Sequence, residues 1–187
     1  MLIRKNSKLS VANDNIAFLS SSLQNATTRE ELLKNTIVNS SKTNGFLIDR
    51  DLKIALSDTT LSIGKFINGN KKLVFYSPLD YCSSCVENEL LRLNSVAEKY
   101  GHDQILVIFK KIEKRDAYLL YSSKKVKYAI ASLDGGALNL PVSNDDLPII
   151  FIINEDLKVS DYFIPYKNMD SLTDEFITSI ITKTFKN

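Results

Sequence analysis

Cys82 and Cys85 are the chain's two cysteines, three positions apart in the stretch LVFYSPLDYCSSCVENELLRLN, residues 73 to 94. Thiols at that spacing can close a disulfide, hold half of a metal site, or fill space. The apolar run ahead of them, bounded by lysines and a proline in KKLVFYSP, reads as a buried strand. Behind them Val86, Leu90, Leu91, Leu93, Val96 and Ala97 recur at helical spacing as far as Tyr100, with Gly101 as a C-terminal stop. The pair therefore falls where a strand gives way to a helix. Unpaired N–H groups give a helix N-terminus partial positive charge, which favours thiolate over thiol. Cys-X-X-Cys thiols in that setting have pKa values depressed from about 8.5 to roughly 3.5–7.5. At the exposed lip Cys82 is the attacking thiol. One turn inward, Cys85 is placed to resolve a mixed disulfide.

The other uses of the pair are weaker. A zinc site needs about four ligands, and beyond the two cysteines the chain has only one histidine, His102, beyond the helix stop. No metal is expected. A structural disulfide here closes a loop of about four residues, where the loop-entropy contribution is smallest. Inert thiols in a binding or assembly module remain the plain alternative. His102 reads as a surface residue at a helix-to-strand turn, since nothing places it beside the thiols.

Composition sets the outer limits. One domain with an appended segment suits 187 residues. Hydrophobic residues at 44% and charged residues at 25% match a globular chain. A net charge of +2, from 24 basic and 22 acidic side chains spread along the sequence, argues against nucleic acid or an anionic membrane as partner. The lysines of FKKIEKR and SSKKVK read as solvated faces. No window approaches the roughly 18 apolar residues of a membrane-spanning helix, so stable membrane insertion is not expected. The N-terminus MLIRKNSKLSVAND has basic residues without an apolar stretch behind them and does not read as an intact secretory signal. The absence of thiols outside the pair leans toward an extracytoplasmic location, periplasmic or membrane-anchored, with the cytoplasm as the alternative.

The elements that must position the thiols follow from the pattern of apolar residues. Residues 1–45 form a polar Ser/Asn/Thr-rich extension whose helical signal is TTREELLKN, with Thr27 or Thr28 as N-cap. Residues 46–187 form the main domain. Phe46, Ile48, Leu52, Ile54 and Leu56 alternate as in a strand or hairpin. QILVIF and KYAIAS read as strands flanking a helix over EKRDAYLLYSSKKV. LPIIFIIN reads as a strong strand paired with KVSDYFIPY through the turn NEDL, and SLTDEFITSIITKTF closes the chain as a helix capped by Ser171. Strand–helix alternation followed by a hairpin and a last helix predicts an α/β sandwich on a mixed sheet.

These residues resemble the thioredoxin-like proteins, and within them the bacterial TlpA-like thiol:disulfide oxidoreductases. The similarity covers roughly residues 45 to 187 and rests on LVFYSP, YCSSC, the helix behind it, and DLPIIFIINEDLKVSDYFIPYKN. It implies a three-layer α/β/α sandwich with an N-terminal helical extension. The implied activity is disulfide exchange with protein dithiols and disulfides through Cys82 and Cys85, without a dissociable cofactor. It implies a cis bond between Leu147 and Pro148, packed against the cysteine pair, leaving the Leu147 backbone free to pair with an extended substrate. From the sequence alone Pro148 equally suits an ordinary trans proline opening a strand. The oligomeric state stays open.

The departures from the family are specific. Tyr81 stands where the family commonly has tryptophan, still a flat aromatic shield. Ser83-Ser84 replaces Gly-Pro, and serines that donate hydrogen bonds to a thiolate make the couple more oxidising. Leu90 replaces the helix-kinking proline, predicting a straighter helix. Tyr76 replaces the buried acid six positions before the first cysteine, the proton acceptor when the resolving thiol attacks. Asp80, Glu87 and Glu89 lie near the motif, and Asp80 or Glu89 acting through water is the expected substitute. A peroxidase reading is disfavoured, because the Thr/Ser-x-x-Cys of peroxiredoxins is LDYC here, with Leu79 in place of the hydroxyl residue.

Overall fold

The computed structural model describes residues 2–78, 83–133, 137–141, 147–166 and 169–185, with side chains for all of these except 2–10, 83–85, 114, 118, 121 and 124. The chain divides into two compact units, Met1–Val38 and Asn39–Asn187.

The first unit is helical. Helix α1 runs without a break over Leu2–Thr43. Thr27 and Thr28, expected to cap a shorter helix, lie inside it. Their hydroxyls donate to the carbonyls of Leu23 and Gln24 at 3.0 and 2.9 Å, the bond back by four residues that lets threonine sit in a helix interior. The cap signature was therefore satisfied locally without ending anything.

The second unit opens with the last turn of α1, which ends at Thr43 and is followed by Gly45 in the left-handed region at φ 83°. Residues 45–48 then run beside the start of β7: Gly45 N–H donates to the Val159 carbonyl at 2.8 Å, and Ile48 N–H to that of Leu157 at 3.0 Å. The sheet holds β1 (Lys53–Ala55), β2 (Thr60–Ser62), β3 (Lys72–Ser77), β4 (Ile105–Phe109), β5 (Ala129–Leu133), β6 (Ile149–Ile153) and β7 (Val159–Phe163) in the order β2-β1-β5-β4-β3-β6-β7. Parallel pairing of β3 with β4 and of β4 with β5 requires crossovers, made by α3 (Ser83–Tyr100) and α4 (Lys114–Lys124). The β6–β7 hairpin turns where NEDL was expected. The Asn154 side-chain oxygen accepts from the N–H groups of Asp156 and Lys158 at 3.0 and 2.8 Å and fixes the turn.

Two cores lie on opposite faces of the sheet. One joins Leu73, Phe75, Val107 and Ile150 to the inward faces of α3 and of α5 (Asp170–Phe185), through Val86, Leu90, Leu93, Ala97, Ile177, Ile180 and Ile181. Tyr128 ties this face together, its buried hydroxyl donating to the Leu90 carbonyl at 2.9 Å. The other sets Val74, Leu106, Ile108 and Phe151 against the short helix α2 (Ile63–Ile67) and against loop residues Ile48, Leu138 and Leu140. The sandwich is mixed, as expected, with one thick helical layer and one thin one. The strand β2 and the helix α2 were not anticipated: TLSIGKFIN is too short to establish a period. Helix α5 begins at Asp170, one residue before the expected cap Ser171.

Candidate functional site

Strand register brings Leu147, Pro148 and the exit of β3 toward one end of the sheet. In the antiparallel pair β3–β6, Tyr76 faces Ile149, so the C-terminal end of β3 lies beside the N-terminal end of β6. Pro148 and Leu147 precede Ile149. Pro78, buried, follows Ser77 on the other strand and starts the connection to α3. The Ser77 hydroxyl donates to the Pro78 carbonyl at 3.1 Å, and the Ser77 carbonyl accepts from Lys110 N–H at 3.0 Å, which anchors the exit of β3 to β4.

Of the two cysteines, Cys85 lies in the first turn of α3, and Cys82 immediately precedes that helix in sequence. Cys82, Tyr81, Leu79 and Asp80 lie outside the described residues, as does the Cys85 side chain. Pro148 is buried and Leu147 half-buried, with Leu147 packed on the core of the thin-layer face. The Leu147–Pro148 bond corrects one expectation. Among the described residues, which include both, there is no cis peptide bond. Trans is the form an X-Pro bond takes by default, favoured by about 0.5–1 kcal/mol.

Tyr76 is 6% exposed and belongs to the thin-layer core. The family acid at this position is thus replaced by packing. Glu89 is the buried acid of this chain: at 7% exposure it lies on α3 one turn beyond Cys85, and residues four apart share a helix face. Arg92 spreads its guanidinium over three carboxylates. Nη1 donates to Glu89 Oε1 at 2.5 Å, Nη2 to Asp170 Oδ1 at 3.0 Å, and Nε to Asp174 Oδ1 at 2.5 Å. The other Glu89 oxygen, Oε2, is buried and accepts no hydrogen bond among the described residues. Burial pushes the Glu89 carboxyl above the usual range. The Arg92 hydrogen bond and charge pull it down, and the charges of Asp170 and Asp174 push it up again. The sequence left Asp80 and Glu89 as the expected substitutes; Glu89 is buried, the set-aside Glu87 is half-buried, and Asp80 lies outside the described residues.

His102 opens a 3-10 turn, His102–Gln104, that leads into β4 at the sheet end opposite Ser77. It is remote from the first turn of α3, as its place in the sequence implied. Among the described residues no group of three or more His, Cys, Asp or Glu is arranged to hold a metal, and no helix is long and apolar enough to cross a membrane. A groove between α3 and α5 and a cleft at residues 46–52 are lined by neither Leu147, Pro148 nor the first turn of α3.

No family model matches the chain, and no curated protein matches it in sequence. Solved structures do match in fold. The thioredoxin domain of a thiol-disulfide oxidoreductase from Bacteroides vulgatus is similar at a TM-score of 0.55 and 13% identity, over 76% of this chain and 98% of that one. Peroxidoxin BcpB from Mycobacterium tuberculosis gives 0.55 and 15%, over 78% and 99%. The bacterioferritin comigratory protein of Xanthomonas campestris gives 0.56 and 12%, over 76% and 99%. At these identities the likeness is one of fold. Together with the strand order, it gives the main unit a thioredoxin-like fold.

Proposed function

We propose that the chain exchanges disulfides with protein partners through Cys82 and Cys85, in the manner of TlpA-like oxidoreductases. The observation that carries this reading is the register of β3 with β6, which sets Pro148 at the sheet end from which the chain leaves toward the cysteine motif. The reduced pair acts in two steps. Cys82 thiolate attacks one sulfur of a partner disulfide, forming a mixed disulfide and expelling the partner's other sulfur as thiolate. Cys85 then loses its proton and attacks Cys82 Sγ. The Cys82–Cys85 disulfide closes, the partner leaves as a dithiol, and two electrons have passed to it. The reverse sequence oxidises a partner dithiol.

Leu147 and Pro148, which lead into β6 through a trans bond, are the residues this reading assigns to contact an extended substrate segment, with Tyr81 as the aromatic shield. The cysteine usage favours an extracytoplasmic setting. The fold is shared with peroxidoxins, so fold alone does not choose the chemistry. Leu79, at the place of the peroxiredoxin hydroxyl, favours exchange over peroxide reduction. A thioredoxin-fold binding module with idle cysteines is the remaining reading.

Glu89 takes the proton from Cys85 in this scheme, directly or through one water. A buried carboxyl with a raised pKa and an oxygen that accepts no hydrogen bond among the described residues suits a group that must accept and return a proton. The test is the rate of exchange with an oxidised dithiol protein across pH. Wild type is expected to turn over, and Glu89→Gln to resolve the mixed disulfide about 10²–10⁴-fold more slowly, the usual range for a general base. Its pH profile should lose the inflection that belongs to Glu89. A Glu89→Gln protein with wild-type rates at every pH ends the proton-transfer role; a wild type that does not exchange at all ends the functional reading.

A further inference from the structure

We propose that α1 joins two copies of this chain in a parallel two-stranded coiled coil. Five of its eight exposed large apolar residues follow a seven-residue repeat, with Val11, Phe18 and Val38 off it. Ile16, Leu23 and Ile37 fall at one core position, and Leu19 and Leu33 at the other, with Ala12 and Ala26 completing the second series. These are large side chains in the open: Leu19 is 64% exposed, Leu23 69% and Ile37 67%.

The period identifies the occupant. On a straight helix a strict seven-residue repeat drifts by about 20° per heptad, so only a partner winding round it in a left-handed supercoil stays in contact. Such a partner must carry the same repeat. A second copy does so automatically, in matching register, under twofold symmetry.

Size and charge agree. At 42 residues α1 is about 63 Å long at 1.5 Å per residue. Burying a Leu or Ile side chain removes roughly 60–120 Å² at 25 cal/mol per Å², so ten across the pair remove on the order of 600–1,200 Å² before alanines and flanking stems are counted. A specific interface needs about 1,000 Å². Two charged residues fall in the seam: Lys5, near its start in the series of Ala12 and Leu19, and Glu30, at the position shared by Leu23 and Ile37. In a parallel pair the hole for Glu30 is formed in part by the residue just before the same position on the other helix, the partner's Arg29. Glu30 also pairs with Lys34 on its own helix at 2.6 Å. The single acid in the seam thus meets cations on both strands. The positions flanking its middle, such as Asn15, Ser20, Ser22 and Thr27, are neutral and do not repel a copy of themselves.

Sedimentation equilibrium of the full chain tests this over a micromolar to millimolar range, with three proteins compared. Wild type is expected to be a dimer. Leu19→Asp/Leu23→Asp should raise its dissociation constant ~100-fold or more, because each aspartate sits unpaired in a buried seam. Phe18→Asp should change it little: Phe18 is 71% exposed, yet it lies off the seam. A wild-type chain that is monomeric throughout overturns the proposal, whether or not its helix binds phosphatidylglycerol vesicles. So does a dimer that survives the double substitution, or one that Phe18→Asp dissociates equally well.

Discussion

Cys82→Ser should lower the rate of disulfide exchange by roughly three orders of magnitude or more, the scale on which removal of an attacking nucleophile acts. The serine hydroxyl keeps the size of the thiol and loses its acidity, so nothing opens the partner's disulfide. Cys85→Ser has a different signature. The first step proceeds, no thiol remains to release the product, and the partner should accumulate as a covalent conjugate on Cys82. Mass measurement under non-reducing conditions reads both outcomes. Full activity of Cys82→Ser, or no conjugate on Cys85→Ser, transfers the chain to the class of binding modules with idle cysteines.

The second large effect is on stability. Arg92→Ala should cost about 3–5 kcal/mol, the range for removing one partner of a buried ion pair. Arg92 is mostly buried and bonds Glu89, Asp170 and Asp174 together, so its loss leaves the buried Glu89 carboxyl without its cation while α3 and α5 lose their shared tie. For a domain of this size that is a drop in Tm on the order of 6–20 °C. The pH dependence follows from the direction of the Glu89 shift. Its carboxyl is raised in the folded protein, so the native state binds the proton more readily than the unfolded chain, and its contribution to stability falls as pH rises through that window. Arg92 opposes that rise, and without it the carboxyl moves further up. The deficit of Arg92→Ala should therefore be largest at neutral pH and shrink as pH falls and the carboxylates protonate. Thermal melts of both proteins across pH measure it. An Arg92→Ala protein with wild-type Tm at neutral pH contradicts this account of the cluster.

Much of the main domain was legible in the sequence, because its strands are short apolar runs buried on both faces. LVFYS, ILVIF and IIFII carry no polar residue except at their ends, and such runs belong in the middle of a sheet covered on both sides. The β6–β7 hairpin was legible in NEDL because asparagine forms its own turn. What escaped was decided by tertiary contacts or by longer periods. The ranking of Glu89 depends on Arg92 and on two aspartates about 80 positions away, which no local pattern announces. The trans bond before Pro148 departs from what the family resemblance implied, where the residues alone had left both forms open. In α1, threonine and serine between the apolar positions suggested loose flanks and a cap at Thr27 or Thr28. Read seven residues at a time, the same segment sets Ile16, Leu19, Leu23, Leu33 and Ile37 in one repeat, interrupted at Glu30. The proposed reactive pair was legible only as a motif, two thiols three apart after a buried strand, and its surroundings lie outside the described residues.

The most direct measurement is an equilibrium redox titration of the purified protein in dithiothreitol and glutathione buffers, with the state of Cys82 and Cys85 read by alkylation and mass. The account predicts a reversible two-electron couple that is less reducing than thioredoxin's, between about −270 and −120 mV, because serines rather than Gly-Pro separate the thiols. Thiols that never pair at any poise, or a pair that resists reduction until the chain unfolds, would contradict disulfide exchange as the function.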